Sequence, residues 1–424
     1  MRQTRAQKGR SAQSRRVTRR PTVARPKQAK ERTASREPFS GKRYRLFVLG
    51  AGFSRLAGLP LGLELWQEVR RRARRLEGRA GIFERDLQTY VQYKNDCFGI
   101  TVMPEDVDFE DFLRFLDIEH FLGMRGSDTW SRAGNEATVL VKTLIGQILS
   151  ELTPPQNRIP PLYLTFAKGL LPDDHVLTFN YDILLERALD AVGKPYRLFP
   201  SRYTSVGDYA STVDDSRQEV ILLKLHGSID WFDRTDYSWL ERQRRRGGFA
   251  GNPPDPVFAN VKELGVSKLV DGPRSADDPL DQMYRVRDIE RLYSQRMLFH
   301  STPWLLAPSP AKILYASTLR DFWRGIGLAE ALNFGLSIIG YSLPPQDEYA
   351  RQVLHAIVTN YQGTNWGKDY FGLRKQPLVI VDSCPDSQTL AAFRARYRFV
   401  NWDRAVLFTN GLNEDAVNCV LASV

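Results

Sequence analysis

Cysteine is the first thing this sequence is short of. Only Cys97, Cys384 and Cys419 occur in 424 residues, far apart and in no Cys-x-x-Cys pair. That pattern argues against a disulfide framework and a zinc ribbon, and it suits a reducing cytoplasm. Long apolar runs are missing too. No stretch approaches the ~20 residues needed to cross a bilayer, so a soluble protein with no membrane partner is expected. Also absent are the Gly-x-x-x-x-Gly-Lys-[Ser/Thr] loop of P-loop ATPases and any helix-turn-helix, zinc-finger or RNA-recognition signature. What remains is an ordinary globular balance, 42% hydrophobic and 26% charged.

Acidic residues are scarce in one place. The formal charge of +11 looks like a nucleic-acid signal until it is divided along the chain. Residues 1–40 carry 13 Lys and Arg against Glu31 and Glu37, while the remaining 47 bases and 47 acids cancel. With Val17 and Val23 almost its only apolar residues before Phe39, this tail cannot bury enough surface to fold alone. It lacks the apolar stretch of a secretory signal. It reads either as a disordered, solubilising extension or as an electrostatic tether to nucleic acid or an acidic partner.

In the body, β-rich runs recur at Arg45–Leu49, His175–Phe179, Val220–Leu225, Leu336–Ile339 and Leu378–Asp382. Phe47-Val48-Leu49 and Val379-Ile380-Val381 are continuous apolar runs, as in strands buried on both faces of a parallel sheet. Between them, Leu61, Leu65, Trp66, Val69 and Ala73 share one helical face. Thr138–Leu152, Leu184–Ala191, Phe322–Leu332 and Tyr349–Val358 are further helical patterns. The alternation predicts an α/β fold, a Rossmann-like parallel sheet with helices on both sides.

The first two strands are more than 120 residues apart, too far for one crossover. Residues 76–152 are therefore expected to form a mainly helical insertion after the first strand, with Phe109, Phe112, Phe115, Leu116 and Ile118 as its core. The interval from Trp231 to Pro303, with Arg242–Arg246 and Gly-Gly and Pro-Pro turns, predicts loops and short helices. The domain plan is thus a basic tail, 1–40, and one body, 41–424, containing that insertion.

Polar residues follow the strands at four places. Strand one runs into Gly50-Ala51-Gly52-Phe53-Ser54, with Gly58-Leu59-Pro60 beyond. Glycines at such a turn let backbone N–H groups approach a phosphate. It is not the dehydrogenase fingerprint, because Arg55 stands where a third glycine is needed. The others are Thr178-Phe179-Asn180-Tyr181-Asp182, Lys224-Leu225-His226-Gly227-Ser228, and Gly340-Tyr341-Ser342-Leu343 with Asp347 following. Each alone has a structural excuse: Asn180 as a turn or cap residue, His226 as a satisfied core histidine, Asp347 as a helix cap. Four endings on one edge of one sheet are harder to excuse, since ligands bind at that edge. His175, Trp231, Pro308 and Lys312 lie close to motif ends and are secondary candidates.

Taken together and in this order, GAGFSxxxGLP, TFNYD, LHGS and GYSL closely resemble the motifs of the sirtuin superfamily, nearest its divergent bacterial SIR2-like branch. Many of that branch serve in antiphage defence. The resemblance covers roughly residues 44–402, with its specific signal in about 25 residues. It implies an NAD+-binding core in which Gly50, Ala51, Gly52 and Ser54 line the phosphates and Gly340 and Ser342 the adenosine side. It implies Asn180 and His226 as the catalytic pair, with Asp182 shaping the nicotinamide pocket and Phe53, Gly227 and Asp347 also at the NAD+ site. Cleavage of the nicotinamide bond passes through an oxocarbenium-like ribose, and the leaving group departs neutral, so no strong acid is required. A neutral amide holding water and a histidine taking a proton suit that step.

One departure stands out. Deacetylase sirtuins carry a four-cysteine zinc module after the catalytic histidine, and here no cysteine lies between Cys97 and Cys384. No zinc is expected, and no VFGE-like motif occurs in 231–335. The reading is therefore NAD+ hydrolysis to nicotinamide and ADP-ribose, by a regulated effector that depletes NAD+. Alternatives are ADP-ribosyl transfer or deacylation, and a non-catalytic NAD+ or ADP-ribose sensor in a larger assembly. The resemblance further implies a homo-oligomer, or a partner such as an ATPase or an Argonaute-like protein as the trigger.

Overall fold

The computed structural model describes residues 44–76, 78–124, 133–207, 211–214, 216–248, 255–275, 278–294, 301–307, 333–345, 347–369 and 373–422. The basic tail, the pattern at Phe322–Leu332, and Pro308 and Lys312 lie outside them. The description concerns the unit Gly41–Val424.

Val, Leu, Ile and Phe fill the central strands because both faces are covered. The strands are β1 (Tyr44–Leu49), β2 (His175–Thr178), β3 (Tyr196–Arg197), β4 (Tyr203–Val206), β5 (Ser211–Val213), β6 (Val220–Lys224), β7 (Trp231–Asp233), β8 (Ser267–Lys268), β9 (Met283–Arg285), β10 (Asn333–Ile339), β11 (Leu378–Val381) and β12 (Ala405–Phe408). Seven of them pair all-parallel in the order β12-β11-β10-β1-β2-β6-β3. β10 is buried along its whole length, as are β6 and β11. β4–β5 is a separate hairpin, and β7, β9 and β8 form a small antiparallel sheet.

The expected α/β fold is therefore present, with differences at its margins. β3 is two residues long and β12 has no fully buried position, so neither stands out as an apolar run. The stretch after Trp231 holds that antiparallel sheet and a helix, Thr235–Arg245, where loops and short helices were expected.

Between β1 and β2 the chain is helical: Gly62–Ala73, Ala80–Phe98, Phe109–Phe121, Glu136–Leu152 and Pro161–Gly169. Asp108 and Asn135 cap two of these, accepting from the N–H groups of Glu110 and Asp111 and of Thr138. Phe112 meets both Trp66 and Phe83 edge to face in the interior. Phe109, Phe112 and Leu116 are buried, and Phe115 packs against them. Ile118 does not join this core: it is 41% exposed, on the outer side of its helix.

Register fixes the level of the strand ends. Leu49 pairs with both Thr178 and Ile339, Thr178 with Lys224, and Ile339 with Val381. The residues just past each of these strands thus emerge along one edge. From β1 the sheet runs through β2 and β6 one way and through β10, β11 and β12 the other. The β1/β10 boundary is the topological switch point, where an open α/β sheet leaves a crevice at its carboxyl edge.

Candidate functional site

At that boundary the turns after β1 and β10 touch. A Cβ on Gly50 would sit 2.5 Å from the Gly340 carbonyl oxygen, and one on Gly52 would sit 2.7 Å from Gly340 Cα. Gly340 has φ +62°, and a Cβ there would lie 2.2 Å from the Phe53 nitrogen. Gly52 N–H donates to Gly340 O at 2.9 Å, and Gly50 N–H to Ile339 O at 3.0 Å. The glycines are thus required by the close approach of two turns. The expectation that they free N–H groups for a phosphate fails for Gly50 and Gly52, whose donors are engaged.

Above these turns lies a cleft of about 780 Å³. Of the residues singled out from the sequence, Ala51, Gly52, Ser54, Asn180, Asp182, His226, Gly340 and Ser342 line it. So do Asp106–Glu110, which bring the helical segment between β1 and β2 to the wall, and Asp382, Ser383 and Asn410 beyond β11 and β12. These last residues belong to no recognised motif; the one sequence signal for Asp382 was its place at a strand end. Burial pushes the Asp382 carboxyl up from the usual carboxylate range, and its oxygen accepts from Ser383 N–H at 2.7 Å.

On the β2/β6 side the polar groups are held firmly. Asn180 is 8% exposed and its Nδ2 donates to Ser54 Oγ at 3.1 Å. That leaves the amide oxygen as the acceptor that can face a ligand. Asp182 accepts from Leu184 N–H at 3.0 Å, starting the helix Leu184–Ala191. Beneath it, the wholly buried Lys224 ammonium donates to the Asp182 carbonyl and pairs with Glu186 at 2.7 Å. His226 follows β6, with its carbonyl accepting from Leu306 N–H at 2.9 Å. Its ring meets Phe179 edge to face at 5.0 Å.

Five sequence candidates fall elsewhere. Phe53 is in the core against Tyr163 and Phe166. Gly227 (φ +81°) does not line the cleft; a Cβ there would lie 1.9 Å from the Trp304 carbonyl oxygen, so it serves a tight turn. Trp231 is buried and stacks on Trp304. His175 opens β2, at the opposite edge of the sheet from the cleft, where burial lowers its pKa to about 4. Asp347 is absent from the wall because it lies behind it, 1% exposed, at the start of the helix Glu348–Gly363.

No helix among the described residues is long and apolar enough to cross a membrane. No group of three or more His, Cys, Asp or Glu among them is placed to hold a metal ion.

Residues 174–245 match the family described as SIR2-like domain. Similar solved structures include Sir2Tm bound to a propionylated peptide, with 14% identity, 90% of this chain and 91% of that chain covered, and TM-score 0.29. Another, titled for the mechanism and regulation of Sir2 enzymes, has 12% identity, 90% and 92% coverage and TM-score 0.28. A third, on sirtuin substrate affinity, has 14% identity, 90% and 94% coverage and TM-score 0.29. At that distance these likenesses say nothing about chemistry. No match was found among curated proteins. The matched segment includes β2, β6, Asn180, Asp182 and His226. The likeness to the SIR2-like domain family thus falls on the segment that supplies those three side chains.

Proposed function

We propose that this protein binds NAD+ across the β1/β10 crevice and hydrolyses its nicotinamide–ribose bond. The observation that carries the reading is the convergence of Asn180, Ser54 and His226 on one cleft at the switch point. Its volume, about 780 Å³, is in the range of pockets that enclose whole ligands. The β2/β6 half, with Asn180, Asp182 and His226, takes the nicotinamide riboside end. The β10/β11 half, with Gly340, Ser342 and Asp382, takes the adenosine end.

The C1′–N bond breaks with its electron pair leaving on nicotinamide, which departs uncharged. Water adds to the oxocarbenium-like C1′ and gives up one proton, so the products are nicotinamide, ADP-ribose and H+. Asn180 Oδ1 holds the water or a ribose hydroxyl without titrating, and His226 accepts the proton. The motif resemblance, with no cysteine between Cys97 and Cys384, favours hydrolysis over a zinc-dependent deacylase. On the same resemblance the enzyme is a regulated NAD+-depleting effector, switched on by self-assembly or a partner.

The test is incubation of the purified chain with NAD+, following nicotinamide and ADP-ribose by chromatography. Release by the native protein that is lost in Asn180→Ala and His226→Ala is expected. Release that persists in both variants would refute the assignment.

A further inference from the structure

The site's histidine is backed by a buried acid. His226 Nε2 lies 2.9 Å from Asp347 Oδ2, both groups within the interior. The same oxygen accepts from Tyr341 OH at 2.9 Å. The approach lacks the alignment of a full hydrogen bond, as is common in ligand-free sites. Phe179 ties the group together: it stacks on Tyr341 at 4.3 Å and meets the His226 ring edge to face.

The backbone confirms that Asp347 is held in place. Leu343, between Tyr341 and Asp347, has φ +54°, a left-handed conformation that is costly for a branched residue. Arg351 braces it by donating to the carbonyls of Leu343 and Pro344, and Asp347 N–H bonds Pro344 O at 3.2 Å. The Asp347 carboxylate also takes Ala350 N–H at the helix start. A mere cap does not need a second carboxylate oxygen aimed at an imidazole.

We infer that Asp347, steadied by Tyr341, is the positioning residue for His226: it keeps the proton on Nε2 and so turns Nδ1 into the proton acceptor of the cleft. Nε2 is sealed from solvent, so only the other edge of the ring can serve a ligand. An acid behind an imidazole fixes its tautomer and steadies the cation formed on proton transfer. The inference rests on the proposed hydrolysis for its kinetic part and on the fold alone for its tautomer.

The chain has five histidines, few enough for 15N-histidine labelling with His226 assigned by its loss in His226→Ala. In native protein, once the ring has been titrated to its neutral form, His226 is expected as the Nε2–H tautomer. In Asp347→Asn the amide can donate to Nε2, and the Nδ1–H tautomer should grow. NAD+ cleavage in that variant should lose about 10²-fold or more in kcat, with KM within about 3-fold. Tyr341→Phe should keep the native tautomer in part and lose less. A native Nδ1–H tautomer overturns the inference, even if Asp347→Asn fails to fold. So does a folded Asp347→Asn with native tautomer and native kcat. If native protein releases no nicotinamide, the hydrolase reading fails while the tautomer still decides this one.

Discussion

Removing the Lys224 ammonium is the most demanding test of how the site's floor is built. Lys224 ends β6, two residues before His226, and its side chain is fully buried against a Glu186 that is 3% exposed. Burial pushes the Glu186 carboxyl up, and the Lys224 charge opposes that shift. In Lys224→Met the carboxylate loses its partner and has two ways out. It can stay ionised and uncompensated, at about 3–5 kcal/mol, or it can take up a proton. For a carboxyl near its ordinary pKa when unfolded, that uptake costs about 4 kcal/mol at pH 7.5 and about 1 kcal/mol at pH 5. Protonation therefore caps the loss. Arg285, whose charge also acts on Glu186, trims it further, so about 3 kcal/mol is expected at pH 7.5.

The sign with pH follows. In the variant the folded pKa of Glu186 is raised above the unfolded one, so stability is complete below the unfolded pKa and is lost as pH rises. Denaturant unfolding of native and variant protein at pH 7.5 and pH 5 measures both quantities. The gap should shrink by about 2 kcal/mol at the lower pH. Adding Glu186→Leu should recover most of the loss at pH 7.5, because a buried pair replaced by apolar side chains is often neutral. A loss under about 1 kcal/mol, or one that does not change with pH, would refute the account of Lys224 as the counter-charge.

Two further predictions concern the fold around the cleft. Gly340→Ala meets backbone on the β1 turn and adds left-handed strain, so it should cost at least about 3 kcal/mol in denaturant unfolding. Gly367→Ala, also at positive φ but with open space around it, should cost only about 1 kcal/mol, and equal losses would show that contact between the turns is irrelevant. His175 is lowered to about 4, so it stays neutral in the fold while the unfolded chain takes a proton near pH 6.5. Stability should be complete above pH 6.5 and fall toward pH 4, by at most about 3 kcal/mol, and His175→Gln should flatten that slope. Parallel slopes in the two proteins would mean that another group carries the acid sensitivity.

The sheet was legible because five strands carry continuous apolar runs, and the polar residues following them could be placed on one edge before any coordinates. β3 and β12 escaped because edge strands need few apolar residues and β3 has only two. Ile118 was misplaced for a related reason: helical periodicity gives a face, but which residues at its border are covered depends on neighbours far away in sequence. Gly227 and Phe53 sit inside motifs without lining the cleft, one serving a turn and the other the core. A motif marks the segment that must be conformed in a given way, not the side chains that meet a ligand. Asp347 shows the limit most clearly. Its capping role follows from local sequence, whereas its second oxygen meets His226 across 121 positions, a contact only the β6–β10 arrangement creates.

The two halves of the cleft come from separate parts of the chain, and the glycine turns decide how they act together. Asn180, Asp182 and His226 arrive from 174–245, while Gly340, Ser342 and Asp382 arrive more than a hundred residues later. What joins them is Gly52 N–H on Gly340 O and the bare surfaces that allow that approach. Since Asp347 lies beyond the same β10 turn, the contact also sets the distance from His226 to its acid. Tyr341 and Phe179 then link the seam to Asp347 and to the His226 ring. The seam is glycine because any side chain would part the turns, widen the crevice and pull the acid away from the imidazole together.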